Sequence, residues 1–220
     1  MKKIVLFISL LIGFLSFGQD VVLKEKSSLV KESKVRLSPF FSYDFNLSKN
    51  SVIGDNSLIV FNYNKLNYKL GLDVEFKLTK SFSISTGLNY SVKDFSSITY
   101  CGSCSIYEEN IQFGLSYLEI PIIGIYTYKV NEIEFFGQLG IINHINVGLN
   151  IFINDSGIAL HNIDSHSLSG KVGLGASYPI LGKHRLFLVT DYSSGFTNVF
   201  KNVDYKLKTL GIRMGIQFLL

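Results

Sequence analysis

The sequence predicts an all-β protein, an eight-stranded antiparallel transmembrane up-and-down β-barrel with short periplasmic turns and long extracellular loops. Three observations predict it. Apolar and polar residues alternate strictly with a period of two, as in a strand with one face in an apolar medium. Most of the alternating runs reach ten residues, against the five or six of ordinary globular strands. The connections between runs are short and long in turn, as in outer-membrane barrels. Composition fits this reading: of 220 residues, 47% are hydrophobic, 14% aromatic and only 17% charged, well under the quarter that is charged in soluble domains.

The first element is an export signal. Met1-Lys2-Lys3 precedes an apolar stretch from Ile4 to Leu15, broken only by Ser9 and Gly13, with small residues at Ser16 and Gly18. A basic start, a short apolar run and a small-residue end fit a signal peptide over 1–18, cleaved near Gly18–Gln19. The run is shorter than the ~20 residues of a spanning helix. Residues 19–34 are polar and mixed in charge and read as a periplasmic tail, leaving 35–220 for the barrel. The formal charge of +4 includes Lys2 and Lys3, so the exported chain carries about +2. It has no strong basic field for nucleic acid.

Alternation then marks each strand. From Val35 to Leu47 every odd position is apolar or Pro, and the even set is Arg36, Ser38, Phe40, Ser42, Asp44 and Asn46. From Lys65 to Leu78 the even positions are apolar (Leu66, Tyr68, Leu70, Leu72, Val74, Phe76, Leu78) and no odd position is. A helical repeat of 3.6 cannot produce either run. The third to fifth strands are marked by Phe82–Tyr90, Leu118–Tyr126 and Ile133–Ile141. Leu168–Tyr178, Leu186–Tyr192 and Leu210–Leu220 mark the last three. Thr79–Ser81, Lys129–Glu132 and Pro179–His184 are the short turns; Ser48–Asn64, Val92–Asn110, His144–His166 and Ser193–Asp204 are the long loops. Closing the sheet leaves no strand edge in hydrocarbon. The alternative is a soluble periplasmic lipocalin-like barrel, which would turn its apolar face inward around a ligand.

Tyr117-Leu118-Glu119-Ile120-Pro121-Ile122-Ile123 resembles the "YLEIP" strand of the PorT-like outer-membrane β-barrel family of Bacteroidota. Phe136-Gly137-Gln138-Leu139-Gly140, the run Asp191–Asn198 and the closing Gly211–Phe218 continue the likeness, which spans roughly residues 35–220. The resemblance implies the fold and the outer membrane. It implies no single activity, although the family's namesake supports type IX secretion. The chain departs from many barrels in ending on Leu219-Leu220 rather than on an aromatic. Pro121 lacks a ladder donor, so a bulge or a missing bond is expected there.

The polar face places Arg36, Lys69, Asp73, Glu75, Glu119, Glu134, Lys171, Arg185, Asp191 and Arg213 in the lumen. An eight-stranded barrel is only wide enough for side chains to fill it. Five acids and five bases allow a paired network there rather than an ion path. Glu119 is expected to pair with Arg213 or Lys171.

Candidate chemistry is sparse. Cys101 and Cys104 in an exported chain read as a local loop disulfide. A zinc site from these and His144, His161 or His166 is the lesser reading, since the spacing is not that of a zinc finger. Asp164, His166 and Ser167 carry the residue types of an outer-membrane lipid hydrolase, but adjacency in sequence is not triad geometry. No catalytic residue, metal or cofactor is assigned.

Odd-position apolar residues continue from Ile141 through Ile145, Val147, Leu149, Ile151 and Ile153, enough to carry the fifth strand beyond the membrane. Leu58-Ile59-Val60-Phe61 is also apolar. These two segments are expected to pair with each other, or else to dock a partner by strand addition. The sequence therefore predicts a non-enzymatic, monomeric barrel in outer-membrane lipid, with a structural or interaction role at the cell surface or as a secretion accessory. Its protein partner would sit at the extracellular loops.

Overall fold

The computed structural model describes residues 34–48, 57–62, 67–101, 109–152, 163–182, 184–199 and 205–220. The expected signal peptide, the tail up to residue 33, Cys104 and His161 lie outside them, as does the side chain of Cys101. Among the described residues the chain forms nine strands: β1 (Val35–Asn46), β2 (Ser57–Asn62), β3 (Asn67–Lys77), β4 (Phe82–Cys101), β5 (Glu109–Val130), β6 (Ile133–Phe152), β7 (His166–Leu181), β8 (His184–Gly195) and β9 (Lys208–Leu219).

Each wall strand pairs antiparallel with its neighbours in chain order, β1 pairs with both β3 and β9, and β4 pairs with β5. These pairings close an eight-stranded barrel from all strands except β2. The short β2 pairs with the far end of β4, Ser57 opposite Cys101 and Asn62 opposite Ser96, where it continues the line of β3.

Alternation runs as the sequence predicts, and its sense is decisive. Arg36, Ser38, Ser42 and Asp44 are buried inside, whereas Phe41 and Phe45 are exposed outside. Leu139 is 71% exposed and Leu174 is 73% exposed, both on the outer face. A lipocalin-like barrel requires the opposite sense, so that alternative is overturned. An outer surface this apolar suits hydrocarbon rather than water. Outward aromatics flank it: Phe76, Phe82, Tyr126, Tyr128, Phe135 and Tyr178 towards the short turns, and Phe45, Tyr68, Tyr90, Tyr192 and Phe196 at the other end. From Tyr68 to Phe76 the wall rises about 20 Å at the usual ~40° tilt, close to the ~25 Å apolar band of such barrels.

The short turns are tight. Asn131 and Glu132 join β5 to β6 directly, Val130 standing opposite Ile133. Asn131 takes φ 55° and Gly182, in the β7–β8 turn, φ 58°. Asn and Gly are the residues that tolerate this left-handed conformation.

The long connections depart from expectation. Val92–Asn110 is mostly strand, since β4 runs to Cys101 and β5 begins at Glu109. Likewise β6 runs to Phe152, so His144 is not in a loop. The wall is therefore uneven: β4, β5 and β6 have 20, 22 and 20 residues, against 12, 11, 12 and 12 in β1, β3, β8 and β9. Past Tyr90, β4 continues for about 36 Å of strand length.

The two apolar segments pair, but not with each other. The β2 segment pairs with β4, and the far end of β6 pairs with β5. A bulge interrupts the second ladder: Tyr117 faces Asn146 and Ser116 faces Gly148, leaving Val147 unmatched. One extra residue shifts the phase of a strand. Past the bulge the ladder resumes with position 149 opposite Leu115. At Pro121 the wall shows a gap without a shift. Thr86 pairs with Ile122 and Asn89 with Glu119, but the two positions between form no pairs. The Thr86 hydroxyl donates to the Pro121 carbonyl at 2.8 Å.

Candidate functional site: the lumen

The lumen is built in layers of inward residues. Nearest the short turns, Arg36 Nη1 lies 3.0 Å from Glu134 and 3.9 Å from Glu75. Arg185 Nε approaches Glu134 at 3.4 Å and donates to Ser177 Oγ at 3.0 Å. Ser83 donates to Glu75 at 2.7 Å. Each charge taken out of water thus meets an opposite charge or a hydrogen-bond partner, as burial demands.

An apolar plug follows: Phe40, Ile123, Ile125, Phe136, Phe187 and Val189, all buried. Its rings fit because glycines stand opposite them. Phe40 is cross-strand from Gly71 and Gly215, Phe187 from Gly215, and Phe136 from Gly175. A Cβ at any of these glycines would press into the facing ring. Interiors are packed too densely for both to fit. Arg213 lies on the plug, 4.8 Å from the Phe40 ring centroid and 5.8 Å from that of Phe187. It donates to Asp73 at 2.7 Å and to Gln138 at 2.8 Å, joining β9, β3 and β6 across the lumen.

The half of the lumen towards the long strands holds two further ion clusters. Lys171 meets Asp191 at 2.8 Å. Glu119, fully buried, is met by Lys69 at 2.8 Å, Lys93 at 3.2 Å and His144 Nδ1 at 3.1 Å, and accepts from Ser91 at 2.8 Å. Lys69 also reaches Asp44 at 3.5 Å. The expected pairing of Glu119 with Arg213 or Lys171 is therefore corrected: those bases are held by Asp73 and Asp191. Three lumen groups escape the sequence reading. Asp44 stands on the polar face outside the ten charges expected there, Lys93 lies beyond the third strand as the alternation marks it, and His144 lies in β6 rather than in a loop. Strand length was the missing signal for Lys93.

His144 completes a row of three side chains from three adjacent strands. Its Nδ1 faces the Glu119 carboxylate and its Nε2 lies 2.7 Å from Ser169 Oγ. A carboxylate only accepts, so Nδ1 carries the ring proton and Nε2 accepts from the serine hydroxyl. This is the order of a serine-nucleophile relay. Here, however, two ammonium groups already neutralise the carboxylate that would have to stabilise an imidazolium, and Ser169 is itself buried. The row reads as a structural link between β5, β6 and β7. Asp164, His166 and Ser167 do not assemble: His166 and Ser167 are consecutive in β7, which turns their side chains to opposite faces. Ser167 stands opposite His144, and the Asp164 N–H donates to the Val199 carbonyl.

Above these clusters the mouth is covered by Leu115, Tyr117, Val199, Tyr205 and Leu207, all buried. Asn46 donates to the Tyr205 hydroxyl at 3.1 Å, and Val199 N–H to the Tyr205 carbonyl at 2.9 Å. This ties the last connection back to β1.

The solved structure of Neisserial surface protein A is similar to this barrel at 10% identity, covering 86% of this chain and 98% of that one, with a TM-score of 0.50. The outer-membrane protein OprG from Pseudomonas aeruginosa is similar at 11% identity, with the same coverage and a TM-score of 0.52. At these identities the likeness is one of fold. No curated protein matches the sequence. The family model described as "Outer membrane protein beta-barrel domain" matches residues 32–201. With its apolar outer face, closed wall and short-turn rim, the chain belongs to the outer membrane protein beta-barrel domain family and is an outer-membrane barrel.

Proposed function

We propose that this barrel works as a non-conducting, non-enzymatic scaffold whose tall wall of β4, β5 and β6 presents a protein-binding surface outside the cell. One observation carries the reading: these strands continue far past the outer aromatics while the lumen below is filled. A filled lumen offers no route for solutes, and a projecting sheet offers a surface. Beyond Asn146, β6 has no β7 partner among the described residues, and its sequence to Phe152 holds no charge or proline to guard the edge. Such edges accept an added strand.

The test is removal of residues 147–162 with a short turn in their place. The barrel should keep its heat-modifiable gel band, while crosslinking from the wall to a surface partner, and adhesion that depends on it, should disappear. Unchanged crosslinking and adhesion would sink the docking role. The PorT-like resemblance of the Tyr117–Ile123 strand supports a second reading, a secretion accessory. Normal export of type IX cargo in a strain lacking the gene would exclude it.

A further inference from the structure

We infer that the outer face of β8, β9 and β1, at the end opposite the short turns, holds the phosphate group of a lipid in the surrounding leaflet. Lys208 opens β9 opposite Ser194 of β8, and its carbonyl accepts from the Leu47 N–H at 2.7 Å. The ladder continues one step beyond the strand. There the Gly195 N–H donates to the Leu207 carbonyl at 2.7 Å, which sets Lys206 beside Phe196. Buried neighbours fix the sense of this face. Tyr205, Leu207 and Thr209 are buried, the last with its hydroxyl 2.6 Å from Ser193 Oγ in the lumen. Lys206 and Lys208 alternate with them and are exposed, in phase with Ile212 and Met214 on the lipid face.

Apolar side chains flank the two ammonium groups. Phe45 and Tyr192 stand cross-strand from Leu210, the next outward position below Lys208. Phe196 is exposed and lies over Gly170, where a Cβ would strike its ring, and Leu47 is exposed on the β1 side. Outward aromatics of this kind mark the depth of the headgroups. Lysine stems run along apolar surface to place the ammonium at that depth. Residues two apart in an extended chain lie about 6–7 Å apart, so both ammonium groups reach one phosphate. A phosphate monoester carries about 1.5–2 negative charges at pH 7, which two lysines match. Neither lysine has an ion-pair partner among the described residues. Otherwise the described side chains that carry charge outside the lumen at this end are Asp94, three strands along the wall on β4, and Asp164, ahead of β7. The patch is independent of the docking wall, which is built from β4, β5 and β6.

The test uses the folded full-length barrel in detergent with equal amounts of lipid A, a phosphorylated glycolipid, and the same lipid stripped of its phosphates. Retained lipids are counted by native mass spectrometry. The wild-type protein should retain mainly the phosphorylated form. The variant K206Q/K208Q should lose at least about tenfold of that preference, K206R/K208R should keep it, and added salt should weaken it in the wild type. A control variant, K80Q/K129Q, changes exposed lysines at the short-turn end and should keep the preference. The heat-modifiable band reports folding, and single substitutions replace the double variant if that band is lost. An unchanged lipid ratio in K206Q/K208Q, or an equal loss in the control, would overturn the inference. Displacement of the lipid by an equal concentration of inorganic phosphate would do so too, because it would show a simple anion site.

Discussion

Arg213 and Phe40 meet at the centre of the barrel, the guanidinium 4.8 Å from the ring centroid. The same guanidinium holds Asp73 at 2.7 Å and Gln138 at 2.8 Å. One side chain thus fastens three strands and caps the apolar plug. Replacing Arg213 with Met keeps the stem and removes the charge, stranding Asp73 inside. Breaking a buried pair from one side costs about 3–5 kcal/mol, so R213M should unfold at clearly lower temperature or urea. Adding Asp73→Leu should restore much of the loss. Urea titration of the folded band checks both, and an R213M midpoint equal to wild type would contradict the central role of the pair.

The plug exists because glycine makes room for it. Gly71→Val would place branched carbon against the Phe40 ring and the Asn89 side chain, so it should block assembly of the compact band. Gly137→Ala is the contrast, because its Cβ would meet only the Leu174 side chain at an ordinary 3.8 Å. That variant should stay within about 0.5 kcal/mol of wild type. Equal behaviour of the two variants would show that ring packing does not limit the fold.

A plugged, ion-paired lumen should be silent. Purified barrel in a planar bilayer is expected to give no resolved current steps. Substituting Phe40, Phe136 and Phe187 together with alanine removes the ring layer and should produce steps wherever the variant still folds. Steady, well-resolved steps from the wild type would show that the lumen conducts.

The Glu119–His144–Ser169 row should behave as structure, not as a nucleophile. A fluorophosphonate probe should leave Ser169 unlabelled in the folded protein. Ser169→Ala should still lower stability by about 1–3 kcal/mol, because it leaves the His144 nitrogen buried without its donor. Stoichiometric labelling that S169A abolishes would reverse this reading.

Most of the wall was legible in the chain, for a simple reason. A barrel strand in lipid must show one apolar and one polar face, and the pleat writes that as a period of two. Residues 67–77 display it without exception, and β3 stands there. Where the outer medium changes from lipid to water, the apolar demand ends while the strand does not. The upper parts of β4 and β5 therefore read as a loop in the sequence, which hides Lys93, whereas β6 keeps its apolar alternation past His144. The plug was hidden for a related reason. Phe40, Ile123, Ile125 and Val189 are apolar residues on the inward face, which alternation alone assigns to polar groups.

The sequence by itself determined the class, the closed topology and which residues share the polar face, ten charged residues among them, because these follow from periodicity and connection length; the burial of Arg36, Ser38, Ser42 and Asp44 decided that this face is the inner one. Only the tertiary structure decided which charge meets which. Partners in the lumen come from strands far apart in the chain, and a barrel's tilt and stagger set their heights. Glu119 meets Lys69, Lys93 and His144 rather than Arg213, since register, not residue type, brings them to one level. The same holds for the bulge at Val147 and the uneven wall, which depend on how long neighbouring strands remain paired after the membrane has ceased to require it.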